Sequence, residues 1–318
     1  MDSISTILIK RCMFGFLTLF TISVIIFMGV ELLPGDAAEA ILGQRATPET
    51  VEAFRKELKL DLPPHVRYLT WLGNFVKGDL GNSLTNGRPV AHVIGWRFQN
   101  TLFLALSAAL ISVPLSIVLG LLAALYRNSL FDRFICTSTL TTISLPEFFV
   151  AYVLIAIFSV QIPLFPSMTS INAQMDLVEK IHSIMLPCIT LTLVVMAHML
   201  RLTRASIINV IYSPFIEMAE LKGLSRSRII VKHALPNAVS PIINVVVLNL
   251  AYLIVGVVVV EVVFVYPGLG QLLVDAVSKR DLPVIQATSM IFACTYVMLN
   301  LSADILSILG NPKLRNPV

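Results

Sequence analysis

Six apolar segments, each long enough to cross a lipid bilayer, recur along this chain of 318 residues. A helix rises about 1.5 Å per residue, so about 20 apolar residues cross the roughly 30 Å hydrocarbon core. Charged residues make up 13% of the chain, about half the share usual in soluble domains, which excludes a soluble enzyme, a disordered chain and a nucleic-acid binder. We predict an all-α polytopic membrane protein with six transmembrane helices, namely Cys12–Val30, Leu102–Tyr126, Phe134–Val160, Ile184–Leu202, Ile242–Val260 and Val284–Leu309.

The first apolar segment shares features with a cleavable signal peptide, because Lys10-Arg11 precede it and Ala38-Glu39-Ala40 follow it. However, its apolar run Cys12–Val30 has 19 residues, which is longer than the core of about 7–15 residues in a signal peptide. We therefore expect a retained transmembrane helix.

The positive charges are unevenly distributed between the two sides of the membrane. If the N-terminus is cytoplasmic, twelve Lys and Arg residues lie inside and three lie in the short outer loops. The remaining eight lie within residues 31–97, a loop of 67 residues that also holds eight acidic residues and is too long to influence orientation. Since positively charged short loops stay in the cytoplasm, we expect both termini there.

The long outer loop has the pattern of a folded unit. Thr47-Pro48 is a typical helix start, apolar residues follow it at helical spacing, and a second helix is expected around Val66–Val76. Both a packing role and a docking surface for an extracytoplasmic partner are compatible with this pattern. The predicted organisation is therefore an N-terminal segment with the first transmembrane helix (1–31), an extracytoplasmic folded loop (32–97) and a core transmembrane domain with five helices (98–318).

A second polar region, residues 213–236, is expected in the cytoplasm as two short helices around a glycine. Ser213-Pro214 starts the first helix, with Ser as N-cap and Pro at the first helical position, and Gly223 suits the positive φ that follows a helix C-terminus. Ser225 is expected to cap the second helix, which runs to about Ala234 and is ended by Pro236. Because such short helices are not stable alone, the segment must pack against its own membrane domain or into a cytoplasmic partner.

The same segment carries a recognisable motif. It reads Glu217-Met218-Ala219, three residues, Gly223, nine residues, then His233-Ala234-Leu235-Pro236. This resembles the EAA loop of permease subunits of ABC importers, which reads E-A-A, three residues, G, nine residues and I-x-L-P. Met218 replaces the second motif residue and His233 replaces the isoleucine, and both replacements keep the helix–glycine–helix plan.

Over nearly its whole length, the chain resembles the dipeptide/oligopeptide/nickel permease family. The 67-residue loop after the first span resembles that of the B-type subunit. The tail Asn311-Pro312-Lys313-Leu314-Arg315 departs from the usual Asp-Pro-Arg-Ile-Arg. The motifs that carry the resemblance are Leu32-Leu33-Pro34-Gly35-Asp36, Gly78-Asp79-Leu80-Gly81, Arg201-Leu202-Thr203-Arg204, Lys222-Gly223-Leu224-Ser225, His233-Ala234-Leu235, Asn237-Ala238, Tyr266-Pro267-Gly268-Leu269-Gly270 and Arg280-Asp281-Leu282-Pro283-Val284-Ile285-Gln286.

The resemblance implies a type I ABC importer permease fold in the bacterial inner membrane. It implies four kinds of contact: a second, related permease subunit of the C type, two cytoplasmic ATP-binding subunits that hold ATP and Mg, an extracytoplasmic solute-binding protein, and the lipid bilayer. The helix that begins at Pro214 would then be a coupling helix that moves as a rigid lever. The residues expected to contact an ATPase subunit are Phe215, Glu217, Met218, Ala219, Lys222, Gly223 and Leu224.

The chain itself holds no candidate for catalysis, cofactor binding or metal binding. It has no G-x-x-x-x-G-K-[ST] motif and no Gly-Lys dipeptide, so it cannot cradle nucleotide phosphates and its energy must come from another chain. The four cysteines and five histidines show no ligand spacing, and the cysteines are typical of small buried residues.

Polar residues inside the spans are the candidates for the translocation path or its gate, because a charge at the bilayer centre costs about 2.5–3.5 kcal/mol. Glu147, which follows Pro146, is a candidate to meet the amino terminus of a peptide, and a locally hydrogen-bonded interior acid is the alternative. Glu261 resembles the usual glutamate of the family, which argues for a structural or gating role. The other candidates are Asn244, Asn249, Asn300 and Asp304.

The resemblance implies the membrane-spanning subunit of an ATP-driven importer that forms half of a translocation path, with di- or oligopeptides as the expected cargo. Similar permeases of the family carry nickel chelates, glutathione or other small solutes, so the cargo stays open. A secondary transporter driven by an ion gradient would also have six spans and intramembrane acids. It would not explain the cytoplasmic helix–glycine–helix, and no internal repeat is evident.

Overall fold

The computed structural model describes residues 4–32, 46–57, 61–172 and 174–310, and within them the chain is almost wholly helical. The motif residues 33–36 and 311–315 lie outside this part of the chain. Two π-helical turns occur among the described residues: Ala156–Gln161 follows the helix Glu147–Ile155, and Ile230–Ala234 follows the helix Arg226–Ile229. The helices are α1 (Ile4–Glu31), α2 (Pro48–Glu57), α3 (Pro64–Val76), α4 (Val90–Leu125), α5 (Leu130–Ser144), α6 (Glu147–Ile155), α7 (Leu177–Ser183), α8 (Met185–Ile211), α9 (Pro214–Leu221), α10 (Arg226–Ile229), α11 (Leu235–Val263), α12 (Leu269–Lys279) and α13 (Leu282–Gly310).

In this part of the chain, four helices are long and apolar enough to cross a membrane, namely α1, α4, α8 and α13. Two bent pairs raise the number to six if each pair counts as one span. They are α5 with α6, bent by 103°, and Ser227–Val239 with Pro241–Ile254, bent by 56°. The prediction of a helical membrane protein is confirmed, with four to six candidate spans.

The third predicted span, Phe134–Val160, was wrong as a single helix. Its first half ends at Ser144, Leu145 is extended (φ −93°, ψ 134°), and α6 begins after Pro146. A proline lacks the amide hydrogen and disfavours helical angles at the residue before it, so the hydrogen-bond ladder stops here. Pro114, by contrast, lies inside the unbroken α4. Hydropathy reports how apolar a segment is and not where the chain changes direction. It therefore could not show that the helix breaks at Pro146 but continues through Pro114.

The centre of the protein is a seam between α4 and α8, where small residues let the two backbones come close. A Cβ on Gly120 would lie 3.0 Å from Cβ of Thr203 and 3.1 Å from the carbonyl oxygen of Leu200. Close approach of this kind supplies the van der Waals contact that holds membrane helices together. The buried small residues at four-residue spacing along α4 are Ala108, Ser112, Ser116, Gly120 and Ala124. α11 packs against both α8 and α13.

The N-terminal helix α1 lies at the edge of the bundle, where it contacts α13 and α3. Most of its apolar side chains are exposed, as expected for a surface that faces lipid. Arg11 forms an ion pair with Asp304 of α13 at 3.0 Å. Asp304, a candidate for the translocation path, therefore lies in the contact between α1 and α13 at the edge of the bundle. Its ion pair with Arg11 explains how an apolar helix accommodates a carboxylate.

Within the described part of the polar loop, residues 46–57 and 61–89, which we call the cap, form two helices and a turn. The backbone amide of Thr50 donates to the hydroxyl of Thr47 at 3.3 Å, as expected where a threonine caps a helix start. The second helix, α3, begins at Pro64, two residues before the expected start. Both helices predicted for the loop are therefore present.

Aromatic side chains attach the cap to the end of α1. The rings of Phe27 and Tyr68 meet edge to face with 5.4 Å between their centres, and Trp71 lies 6.2 Å from Phe27. The hydroxyl groups of Tyr68 and Ser23 share a hydrogen bond of 2.8 Å. Aromatic pairs of this geometry stabilise packing beyond the area that they bury, so α3 is held against the membrane helix.

The cap and the 213–236 segment lie at opposite ends of α4. Leu80 of the cap packs in one cluster with Val90, the first residue of α4. Ile216 packs in another cluster with Ala124, near the end of the same helix. The 36 residues of α4 span about 50 Å. The two polar regions are thus separated by more than the thickness of a bilayer core.

Candidate functional site

The 213–236 segment, which we call the elbow, begins with α9 as predicted. Pro214 is the first helical residue and Ser213 holds the N-cap position. The serine side chain does not cap the helix, however, because its hydroxyl donates to the carbonyl of Val210 in the preceding turn. The start of α9 is therefore fixed mainly by the proline, whose φ suits a first helical position.

The corner of the elbow is closed by Gly223. Its φ is +73°, a left-handed value that glycine adopts without steric cost. Its amide donates to the carbonyl of Glu220 at 2.8 Å, and the amide of Leu224 donates to the carbonyl of Ala219 at 3.3 Å. These two bonds form a Schellman motif, so the predicted helix end is confirmed and its carbonyls are satisfied.

The second half of the elbow differs from the prediction. The helix was expected to run to about Ala234 and to be ended by Pro236, but α10 continues through the π-helical turn Ile230–Ala234 into α11, which begins at Leu235. Proline is tolerated in a first turn because the amide hydrogens there have no helical acceptor. Pro236 therefore marks the start of the next helix.

The two faces of α9 have different environments. Ile216 is fully buried and Ala219 is 8% exposed, both within a cluster formed with the ends of α4 and α8. Leu224 packs half-buried against the same cluster. Ala219 was predicted to contact a partner, and its burial instead makes it an anchor to this chain's own helices. Glu217, Lys222 and Gly223 are exposed.

A row of large apolar side chains remains uncovered on the other face of α9. Phe215 is 46% exposed, Met218 55% and Leu221 76%. Leu221 was missed in the sequence analysis, although its spacing of three residues from Met218 would have revealed it. An exposed apolar row on a helix of eight residues, fixed at both ends, is typical of a docking surface.

Glu147 lies at the break between α5 and α6. It is the first residue of α6, and its carboxylate accepts a hydrogen bond of 2.7 Å from the hydroxyl of Tyr252 on α11. A Cβ on Gly256 would lie 3.4 Å from the same carboxylate oxygen. An open cleft of about 430 Å³ surrounds this group, and its polar lining includes the exposed His198 of α8.

Glu261 is fully buried, and its carboxyl group holds the start of α12. It accepts hydrogen bonds from the hydroxyl of Thr101 at 2.6 Å, from the amide of Gly270 at 2.6 Å and from the amide of Gln271 at 3.2 Å. The first amide hydrogens of a helix have no partner within the helix, so a carboxyl group from another element takes their place. In this structure Glu261 therefore has a structural role. Its carboxyl group is buried and does not line the cleft at Glu147.

The turn between α11 and α12 has two glycines because no Cβ fits there. A Cβ on Gly268 would lie 2.0 Å from Oε1 of Glu261, and one on Gly270 would lie 2.6 Å from Cα of Val258. Tyr266, also fully buried, donates its hydroxyl to the carbonyl of Asn100 at 2.6 Å. The Tyr-Pro-Gly-Leu-Gly motif thus ties α11 and α12 to α4.

Asp281, a buried residue for which the sequence predicted no role, joins the cap to the corner between α12 and α13. It accepts hydrogen bonds from the amide of Leu84 at 3.0 Å and from the hydroxyl of Thr85 at 2.9 Å, and Ser83 donates a further one. The residues lie almost two hundred positions apart in the chain, so only the folded structure reveals this contact.

Replacement of Asp281 by asparagine is expected to loosen the cap. One acceptor oxygen is lost and an amide takes its place, which should lower the free energy of unfolding by about 2 kcal/mol, since hydrogen bonds to charged groups contribute about 1.5–3 kcal/mol. The measurement is the rate at which protease cuts the cap in the purified complex. Asp275→Asn is the control, because Asp275 accepts a hydrogen bond from Gln271 within its own helix; equal cleavage of the two variants would contradict the account.

A partly buried ion pair between α5 and α8 was also missed in the sequence analysis. The guanidinium of Arg204 on α8 donates to both carboxylate oxygens of Asp132 on α5, at 2.7 and 2.8 Å. The amide of Asn128 donates to the same carboxylate at 2.9 Å. Paired and hydrogen-bonded charges of this geometry are stable in a poorly hydrated site. The pair fixes the start of α5 against α8.

The asparagine candidates do not converge on one site. The side-chain amide of Asn249 donates to the carbonyl of Val245 at 2.7 Å, and that of Asn300 donates to the carbonyl of Tyr296 at 3.0 Å. Both bonds stay within their own helices. Asn244 is half-buried on α11. None of the three lines the cleft at Glu147 within the described residues.

Comparisons with known proteins agree with this architecture. Residues 116–316 match the family described as binding-protein-dependent transport system inner membrane component, and residues 4–117 match its N-terminal family. The chain is 38% identical over 307 residues to the glutathione transport system permease protein GsiC of Escherichia coli (strain K12) and of Shigella flexneri serotype 5b. Each match covers 96% of this chain and 98% of the relative.

Membership of this family excludes the alternative of a transporter driven by an ion gradient, and it implies partners that hydrolyse ATP and a protein that binds the solute. It also implies a multi-pass protein of the inner membrane. The chain belongs to the family of binding-protein-dependent transport system inner membrane components and is a non-catalytic permease subunit of an ABC importer.

Proposed function

We propose that the chain crosses the membrane six times, with each bent helix pair as one span, and that both termini and the elbow are cytoplasmic. The positions of the cap and the elbow at opposite ends of α4 support this arrangement. So does the excess of Lys and Arg, with twelve on the elbow side and three in the short loops opposite. Reporter fusions at the C-terminus should then be active in the cytoplasm only.

The elbow is proposed to dock in a groove of an ATP-binding subunit. The observation that carries this proposal is the uncovered apolar row of Phe215, Met218 and Leu221 on a short helix that Ile216 anchors to the membrane domain. Because one face of α9 is packed against the membrane domain and the other is free to bind, α9 would pass a movement of the bound subunit to the membrane helices while staying helical. Glu217 and Lys222 would add polar contacts at the rim, as in other interfaces.

The remaining partners follow from the same arrangement. A second, related permease subunit would supply the other half of the translocation path, and two ATP-binding subunits would bind ATP and Mg. The solute-binding protein would dock on the cap, which corresponds to the predicted unit 32–97 between the N-terminal segment 1–31 and the core domain 98–318.

The proposed cargo is a peptide. The relatives at 38% identity are named as glutathione permeases, and glutathione is itself a tripeptide, so a small peptide is consistent with both the relatives and the motifs. Nickel chelates and other small solutes are the alternatives that the resemblance leaves.

The test of this function is uptake by the complete complex in proteoliposomes, with labelled glutathione and labelled dialanine as cargo. We expect ATP-dependent uptake of at least one of them, only when the binding protein is present outside. Uptake that continues without ATP, or a purified complex without an ATP-binding subunit, would contradict the proposal. Uptake of a nickel chelate in place of both peptides would leave the machinery intact and change the cargo.

A further inference from the structure

The break between α5 and α6 exposes backbone at a depth where membrane proteins rarely tolerate it. Glu147 is the first residue of α6. Opposite it lie His198, near the middle of α8, and Tyr252, near the middle of α11. Irregular backbone at such depth is stable only where protein covers it or where it lines a water-filled cavity. A cleft of about 430 Å³ lies at this point, with the polar side chains of Glu147, His198 and Tyr252 in its lining.

The cleft holds a carboxylate that is only partly satisfied. Among the described residues, Tyr252 is the one hydrogen-bond partner of Glu147, and no Lys or Arg lines the cleft. The position at the start of α6 favours an anion, because the amide groups at a helix N-terminus carry partial positive charge. A carboxylate with one neutral partner in a membrane span has unused capacity to accept donors from a ligand.

The other groups of the cleft fit one kind of ligand. His198 is exposed and presents ring nitrogens that can donate to a carboxylate. The apolar remainder includes Phe148, Val194 and Val259, and the volume lies within the range of about 300–1,000 Å³ that small-molecule sites occupy. An acidic group and a donor in one apolar cleft complement a molecule that carries both an ammonium group and a carboxylate.

We propose that the cleft formed by Glu147, Tyr252 and His198 is a cargo-contact site, in which Glu147 binds the ammonium group of an amino-acid or peptide zwitterion. Tyr252 holds the carboxylate in place through its hydrogen bond. His198 faces the carboxylate end of the cargo. The inference rests on the proposed function, because it names the chemical class that the translocation path accepts.

The test compares two substitutions at one position in the reconstituted complex. Glu147→Gln keeps the size but removes the charge that would bind the ammonium group, and it should lower uptake of whichever peptide the wild type carries by about tenfold, which corresponds to about 1.4 kcal/mol. Glu147→Asp keeps the charge and should retain at least half of the uptake. Tyr252→Phe should lower uptake by about threefold or less, since it removes the positioning bond alone.

Tyr152→Phe is the matched control, because Tyr152 is an exposed tyrosine on α6 outside the cleft. Unchanged uptake by Glu147→Gln would overturn the inference. So would loss of the second permease subunit from that variant, since Glu147 would then be part of a subunit contact. Absence of ATP-dependent uptake by the wild-type complex would instead contradict the proposed function, so the two failures are distinguishable.

Discussion

Replacing Gly268 with alanine is expected to leave little folded permease. The new Cβ would lie 2.0 Å from Oε1 and 2.2 Å from Cδ of Glu261, so the carboxyl group must move. It would then lose the donors that it binds, the hydroxyl of Thr101 and two amides at the start of α12. Each buried polar group left without a partner costs about 1–3 kcal/mol, so the loss should reach at least about 3 kcal/mol.

The measurement is the amount of monodisperse protein that membranes yield in mild detergent. Gly95→Ala is the matched control, because nothing lies within 4 Å of a Cβ at that helical glycine, and it should give a wild-type yield. Gly270→Ala should resemble Gly268→Ala, since its Cβ would meet the backbone of Val258 at 2.6 Å. Normal yields of both variants would refute the claim that this turn holds α12 in place.

Replacing Gly223 with valine is expected to uncouple ATP hydrolysis from uptake while the spans still insert. The left-handed φ of +73° costs a residue other than glycine about 1–2 kcal/mol, and a β-branched residue is the least suited to it. No atom lies within 4 Å of a Cβ at this position, so the strain is in the backbone alone. A cost of 1–2 kcal/mol changes a conformational equilibrium by about 5- to 30-fold, and uptake should fall by a similar factor.

Asparagine is the control at this corner, because it adopts left-handed angles more readily than other residues with a side chain. Gly223→Asn should keep most of the uptake, and both variants should reach the membrane in normal amounts. If valine left uptake unchanged, the corner would have no role in coupling. If both variants lost uptake equally, the cause would be the added side chain and not the backbone angle.

The first half of the elbow, α9 with Gly223 at its end, was the part of the fold that the sequence predicted best. Short-range rules specify it: a proline at the first helical position, a glycine at the end, and spacings of three and four residues between side chains. The same rules could not distinguish which face of α9 was covered. Ala219 and Phe215 are both apolar, and only the packing against α4 and α8 buries the first and exposes the second.

The long-range polar contacts that hold the helices together could not be predicted from sequence patterns. Asp281 and Ser83 meet across almost two hundred residues, and Arg204 reaches Asp132 from another helix. Such pairs depend on how helices are placed in three dimensions. Hydropathy likewise located the apolar residues 134–160 without revealing that α5 and α6 turn by 103° at Leu145-Pro146, where the candidate cargo site lies.

A photoreactive amino acid at Met218 tests the central claim most directly. Met218 is 55% exposed on the free face of α9, whereas Met168, 62% exposed beyond the end of α11 farthest from the elbow, is a control of the same residue type. In membranes that contain the whole complex, we predict a crosslink from position 218 to an ATP-binding subunit, in a yield that changes with ATP, and none from position 168. Crosslinks from position 218 to lipid or to this chain alone would contradict the account.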